Sequence, residues 1–340
     1  MSKLINYNSV EGKLLKELFQ DHRIDPYIAL IVESYIYEKV EENYILDQVI
    51  KYIKRYDKIE GLCEEWYVTG TYTYNKYFYK KGKKHGKYKR YYKNKLFLEC
   101  NYKEDKLDGE YKQIYSNGQL SFQSNYKDDK EEGLVKTFYD NGNIKKIYMC
   151  KEGLKEGLYK KWHLDGEKWI ECTYKDGKKE GLYQEWVENG KKHIECTYKE
   201  DKKEGLIKTF YDDGSIKELY MCKEGVKEGL YEKWYLDGEK WIECNYEKDK
   251  LNGLYKQWDK NGQKWLECNY KKKKKHGMYQ EWYSNGQKYI ECNYKKGKKH
   301  GLYQEWWRNG QQRGECTYIN WVLNGEYKQW DRNGIRMQNC

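Results

Sequence analysis

The sequence predicts a mainly β fold: an elongated, single-layer antiparallel β-meander of about 12 repeated hairpins, preceded by a small α-helical N-terminal cap. Three observations carry this. Glycine recurs at 61, 86, 109, 133, 157, 181, 205, 229, 253, 277, 301 and 325, so that a 24-residue unit fills residues 61–340. An aromatic or large apolar residue follows five positions later, as at Trp66, Phe138, Trp258, Trp282 and Trp306. Then comes Asn-Gly or Asp-Gly, as at Asn285-Gly286, flanked by strand-forming residues and, from position 61 on, by no proline.

Residues 1–60 lack the period. Asp25-Pro26 reads as a helix start, and Ile28, Ile31, Val32, Tyr35 and Ile36 follow helical spacing. Leu46, Val49, Ile50 and Ile53 do so again. This segment is expected to be a helical cap over the first strand, or a small adaptor module, since "IDPYIALIVESYI" is faintly similar to an F-box. It carries a net charge of −2 out of the chain's +11, which leaves +13 on the array.

Within the array each unit reads as one hairpin. A two-residue turn at Asn285-Gly286 sets Trp282 opposite Tyr289, Gln280 opposite Glu291 and Tyr279 opposite Cys292. A ring opposite a small thiol packs without crowding, which explains an in-register column including Cys172, Cys196, Cys244, Cys268, Cys292 and Cys316. Members of the column lie two strands apart, ~9.6 Å, beyond disulfide reach. With 39 Tyr, 13 Trp and 36% charged residues, the strands are covered by side chains that have apolar bodies and wet tips. A longer period overlies the short one: "GLVKTFYDNGNIKKIYMCKEG" from Gly133 returns 72 residues later as "GLIKTFYDDGSIKELYMCKEG" from Gly205.

"YKKGKKHG" (Tyr294 to Gly301) resembles the centre of a MORN repeat, in the variant form found in antitoxin-like and large-DNA-virus MORN-repeat proteins. Ile290, Cys292, Tyr294, Gly297, His300 and Gly301 occupy the motif places, and His becomes Glu at Glu132, Glu156, Glu180, Glu204 and Glu228. The resemblance implies an array that serves as a scaffold, as a lipid-proximal module, or as an antitoxin-like neutralising protein.

No catalytic residue, cofactor or metal site is expected. The carboxylates Glu171, Glu195, Glu243, Glu267, Glu291 and Glu315 form a ladder of equivalent positions rather than one acid/base pair. Neither the histidines nor the cysteines show close metal-ligand spacing. The expected activity is therefore non-catalytic, with another protein as partner. The aromatic positions Trp258, Trp282 and Trp306, with Trp241, Trp265 and Tyr289 across their turns, are the candidate partner-binding residues. The alternative partner is an anionic membrane surface met by Lys271, Lys272, Lys273, Lys274, Lys275, Lys295, Lys296, Lys298 and Lys299, which the meander sets along one edge. Nucleic acid is disfavoured by the Glu ladder on the same surface. An unfinished end strand at Gly334–Cys340 would permit an end-to-end homodimer. The start "MSKLINYNSV" lacks a signal-peptide core and no run reaches membrane-span length, so a reducing cytoplasmic setting is expected.

Overall fold

The computed structural model describes the strands Gln48–Lys51, Lys54–Arg55, Lys58–Ile59 and Gly61–Tyr67, and residues 73–337 without a break. Lys54–Arg55 and Lys58–Ile59 pair with each other, the other strands form an open antiparallel β-meander, and no helix occurs among the described residues. Packing divides them into two compact units. One runs to Ile144 and includes Cys150–Gly153; the other comprises Lys145–Met149 and the described residues from Leu154 onward.

In the first unit consecutive strands pair from Gly61–Tyr67 through Lys130–Phe138. Gly61–Tyr67 also pairs with Gln48–Lys51, with Val49 opposite Trp66. This corrects the helical reading at Val49 and Ile50. Two β-branched residues suit either state, and the unpaired backbone of the first hairpin strand supplies hydrogen-bond partners that only a strand can use. The cap and adaptor readings for residues 1–47 lie outside the described residues.

In the second unit consecutive strands pair from Leu154–Trp162 to Gln312–Ile319. Gln280 faces Glu291 and Tyr279 faces Cys292, as counting from the turn requires. Trp282, however, faces Lys288 and not Tyr289. The Asn-Gly turn is the reason. Tyr283 N–H donates to Gln287 O and Gly286 N–H to Tyr283 O, while only Gly286 of the Asn-Gly pair has positive φ. That is a three-residue loop ending in a left-handed glycine, which pushes Tyr289 out of register as a bulge.

The tight two-residue turns lie at the other end of the hairpins. Lys271 pairs with Lys274 across Lys272 (φ 48°) and Lys273 (φ 66°), and Lys295 with Lys298 across Lys296 (φ 53°) and Gly297 (φ 85°). The glycine that marks each unit is a third feature. Gly277 sits within a strand at φ 79°, beside a register shift between Cys268–Tyr279 and Tyr270–Lys275. A Cβ there would meet nothing within 4 Å, so the backbone angle and not space selects glycine.

Candidate functional site

Strand alternation gives each hairpin two unlike faces. On the first face the Tyr–Cys–Tyr rung is the core. Tyr279 (8% exposed), Cys292 (1%) and Tyr294 (8%) belong to one buried cluster, with the two rings 5.3 Å apart. The Lys275 ammonium lies 3.9 Å from the Tyr279 ring centre and 5.3 Å from that of Tyr294. Lys179, Lys227 and Lys299 repeat the arrangement over Tyr183, Tyr231 and Tyr303. Such contacts hold a cation over the negative ring face. Burial pushes the Cys268 and Cys292 thiols up to about 11 and the Tyr294 hydroxyl up to about 12. The nine cysteines from Cys100 to Cys316 are buried and in no disulfide.

The second face is a lattice of charge and indole. Lys264 Nζ lies 2.6 Å from Glu267 and 4.4 Å from the Trp282 ring centre. Gln280 Nε2 donates to Glu291 at 2.8 Å, and Lys288 bonds the same carboxylate while lying 5.3 Å from the Trp306 ring. In the neighbouring hairpins Lys192, Gln184 and Lys208 surround Glu195, and those donors, Lys192 first, draw its carboxyl down to about 2. The Glu ladder is thus ion-paired at rung after rung. Beside it runs an apolar row at the residue after the marker glycine from Gly157 to Gly301, with Leu254 its one half-buried member. Leu158, Leu182, Leu206, Leu230, Met278 and Leu302 are 39% to 49% exposed.

The predicted site residues do not form one surface. Trp258, Trp282 and Trp306 lie half-buried on the charged face, each beneath a lysine of the preceding hairpin. Trp265 packs instead against the Tyr–Cys cluster, and Trp241 stacks on Tyr235 at 5.0 Å beneath Lys233. Tyr289, at the same bulge position, lies 4.8 Å from Tyr283. The bulge turns these three away from the indoles they would otherwise adjoin. The lysines divide as well. Lys271–Lys274, Lys295, Lys296 and Lys298 are exposed at the tight turns, whereas Lys275 and Lys299 are half-buried on tyrosine rings.

Joints between hairpins use residues that the sequence reading left without a role. Glu180 accepts from Glu200 N–H at 2.9 Å, and Glu156, Glu204 and Glu228 likewise accept from the first turn residue of the following tight turn. The His-to-Glu replacement therefore puts a carboxylate acceptor where the motif has an imidazole. At the loop end Tyr235 Oη donates to Trp258 O at 3.1 Å and Tyr283 Oη to Trp306 O at 2.9 Å, while Asn285 Nδ2 donates to Arg308 O at 2.9 Å. A signal for the first joint was present: the residue before each marker glycine from His85 to Asn324 always carries an acceptor.

Hairpins that lock only to their sequence neighbours, through the same side chains each time, define a β-repeat array with two working faces and no enclosed centre in the second unit's rungs. The MORN repeat variant profile matches residues 84–104, 107–128, 131–149, 155–176, 179–200, 251–272, 275–296 and 299–320, and the chain belongs to that family. The unmatched residues 202–247 continue the hairpin pairing between these segments. No curated protein matches the sequence. MORN repeats are generally involved in protein or membrane-lipid interactions. Among the described residues no helix is long and apolar enough to cross a membrane, and no group of three His, Cys, Asp or Glu is placed to hold a metal.

Proposed function

We propose that the chain is a non-catalytic scaffold whose charged face binds another protein. The exposed row Leu158, Leu182, Leu206, Leu230, Met278 and Leu302 carries this reading. Each residue stands beside ion-paired Lys and Glu or hydrogen-bonded Gln, giving an apolar strip with a polar rim whose members in adjoining hairpins are ~9.6 Å apart. A lipid head group would need none of the strip, and a small substrate would need a pocket rather than a row. The test is chemical crosslinking and capture with the full-length chain in extract of its own cells, beside a Leu182→Glu/Leu230→Glu variant. A stoichiometric protein captured by the wild type and lost from the variant is the expected result. Equal capture by both, or no stoichiometric partner, overturns the reading.

A second reading has its own observation: seven exposed lysines, Lys271–Lys274, Lys295, Lys296 and Lys298, at the tight turns of adjacent hairpins. Near an anionic bilayer each contributes about 1 kcal/mol. Flotation with phosphatidylserine vesicles at low salt decides it, with no gain over neutral vesicles counting against.

A further inference from the structure

The 72-residue duplication places the same tyrosine-side rung twice, and on that rung lysine and glutamate trade places at positions 146 and 218. In the second copy Glu218 faces Lys233 on the tyrosine side of the sheet, their charged atoms 3.2 Å apart and both side chains about four-fifths covered (21% and 22% exposed). The Lys233 ammonium lies 4.5 Å from the Trp241 ring centre, and the adjacent Tyr231 hydroxyl is pushed up, by burial first and then by the Glu218 carboxylate. A carboxylate thus completes a pocket wall of lysine, indole and phenol.

In the first copy the lysine, indole and phenol are all kept, as Lys161, Trp169 and Tyr159, but the position of Glu218 is held by Lys146. Lys161 is drawn to 3.1 Å from the Trp169 ring centre, closer than its counterpart. Lys155 sits above, 5.2 Å from the Tyr159 ring and 5.4 Å from that of Tyr148, which itself stacks on Tyr159 at 5.7 Å. Lys146 and Lys161 are half-buried. Both ammonium groups are held below the usual lysine range, by burial first and then by neighbouring lysines, while the Glu185 carboxylate, in line with Lys161 across Ile170, acts the other way on Lys161. Like charges on facing or adjacent strand positions are destabilising. With Glu185 near Lys161 set against two half-buried ammonium groups, the site keeps a net positive charge that a carboxylate from outside would balance.

We propose that Lys146 and Lys161, over Trp169 and Tyr159, receive an acidic side chain of a bound protein, which supplies in trans the carboxylate that Glu218 supplies in cis. The inference rests on the protein-scaffold reading but names a different face and a different chemistry from the leucine row. The probe is N-acetyl-tetraglutamate, titrated by calorimetry into the full-length chain in about 0.15 M salt, where exposed charges are screened beyond roughly 8 Å. Wild type should bind one equivalent at this site. Lys146→Glu, which copies a rung the fold already contains, should weaken that binding at least tenfold and raise the melting temperature of the free protein. Glu218→Lys should add a second equivalent. Unchanged peptide binding by Lys146→Glu, or inorganic phosphate competing with equal affinity, overturns the proposal. Partner capture that survives Lys146→Glu while peptide binding is lost sinks the inference alone; capture that survives in the leucine variant overturns the leucine-row reading.

Discussion

The hairpins beginning at Gly205 and Gly277 share one backbone register but fill it differently. In the later hairpin Tyr279 faces Cys292 and Gly277 faces Tyr294; in the earlier one Ile207 faces Tyr220 and Gly205 faces Cys222. Tyrosine and cysteine have exchanged places on the returning strand, and the residue opposite has shrunk from Tyr to Ile. Ile207 is fully buried, and Tyr220 reaches Tyr231 of the next hairpin at 5.9 Å. What is kept is a closely filled rung, not the identity of its members, as close-packed interiors demand.

The strongest way to break this comparison is to fill one place twice. Ile207→Tyr sets a ring against Tyr220 and should destabilise the protein by about 1–3 kcal/mol. The double variant Ile207→Tyr/Tyr220→Cys restores the facing Tyr–Cys pair of the later rung and should recover most of that loss in urea unfolding, giving a coupling energy that independent sites would not show. The opposite change, Tyr279→Ile, leaves a void over Cys292 and should cost about 2–3 kcal/mol. A smaller effect tests what the hairpins share. Gly277→Ala forces a left-handed angle on a residue with Cβ and should cost about 1–2 kcal/mol, although it clashes with nothing.

Titration sharpens the same comparison. Glu195 has its carboxyl drawn down to about 2 in the folded chain, so its contribution is present above the ordinary value of 4.5 and is lost as pH falls from there towards 2. Glu195→Gln should flatten that acid limb of a stability profile. For Cys268 and Cys292 the sign is opposite. Their thiols are raised from 9.0 to about 11, so the unfolded chain loses protons first and stability falls as pH rises through that window. The same suppression of thiolate should leave the described cysteines almost unreactive towards a disulfide reagent until the chain is unfolded.

The repeat, the hairpins and the Tyr279–Cys292 pairing were legible because glycine spacing and strand alternation are written directly in the residues. The turn types were not. Asn285-Gly286 carries the strongest hairpin signal known to sequence reading, yet it closes a three-residue loop. Lys272-Lys273 carries none, and adopts left-handed angles at both positions because strand twist and the bond from Lys273 N–H to Leu251 O enforce them. One bulge residue then moved Trp282 off Tyr289 and put the two aromatic sets on different faces. Val49 and Ile50 were misread for a related reason: local spacing favoured a helix, and a free strand edge overrode it.

The bonds from Tyr283 to Trp306 O and from Glu180 to Glu200 N–H each span one joint and no more. A chain assembled this way can lengthen or shorten by whole modules without re-solving any interior, because every new seam is a copy of an old one. The duplicated segment from Gly133 reads as a record of one such step, its register kept while single side chains on it differ.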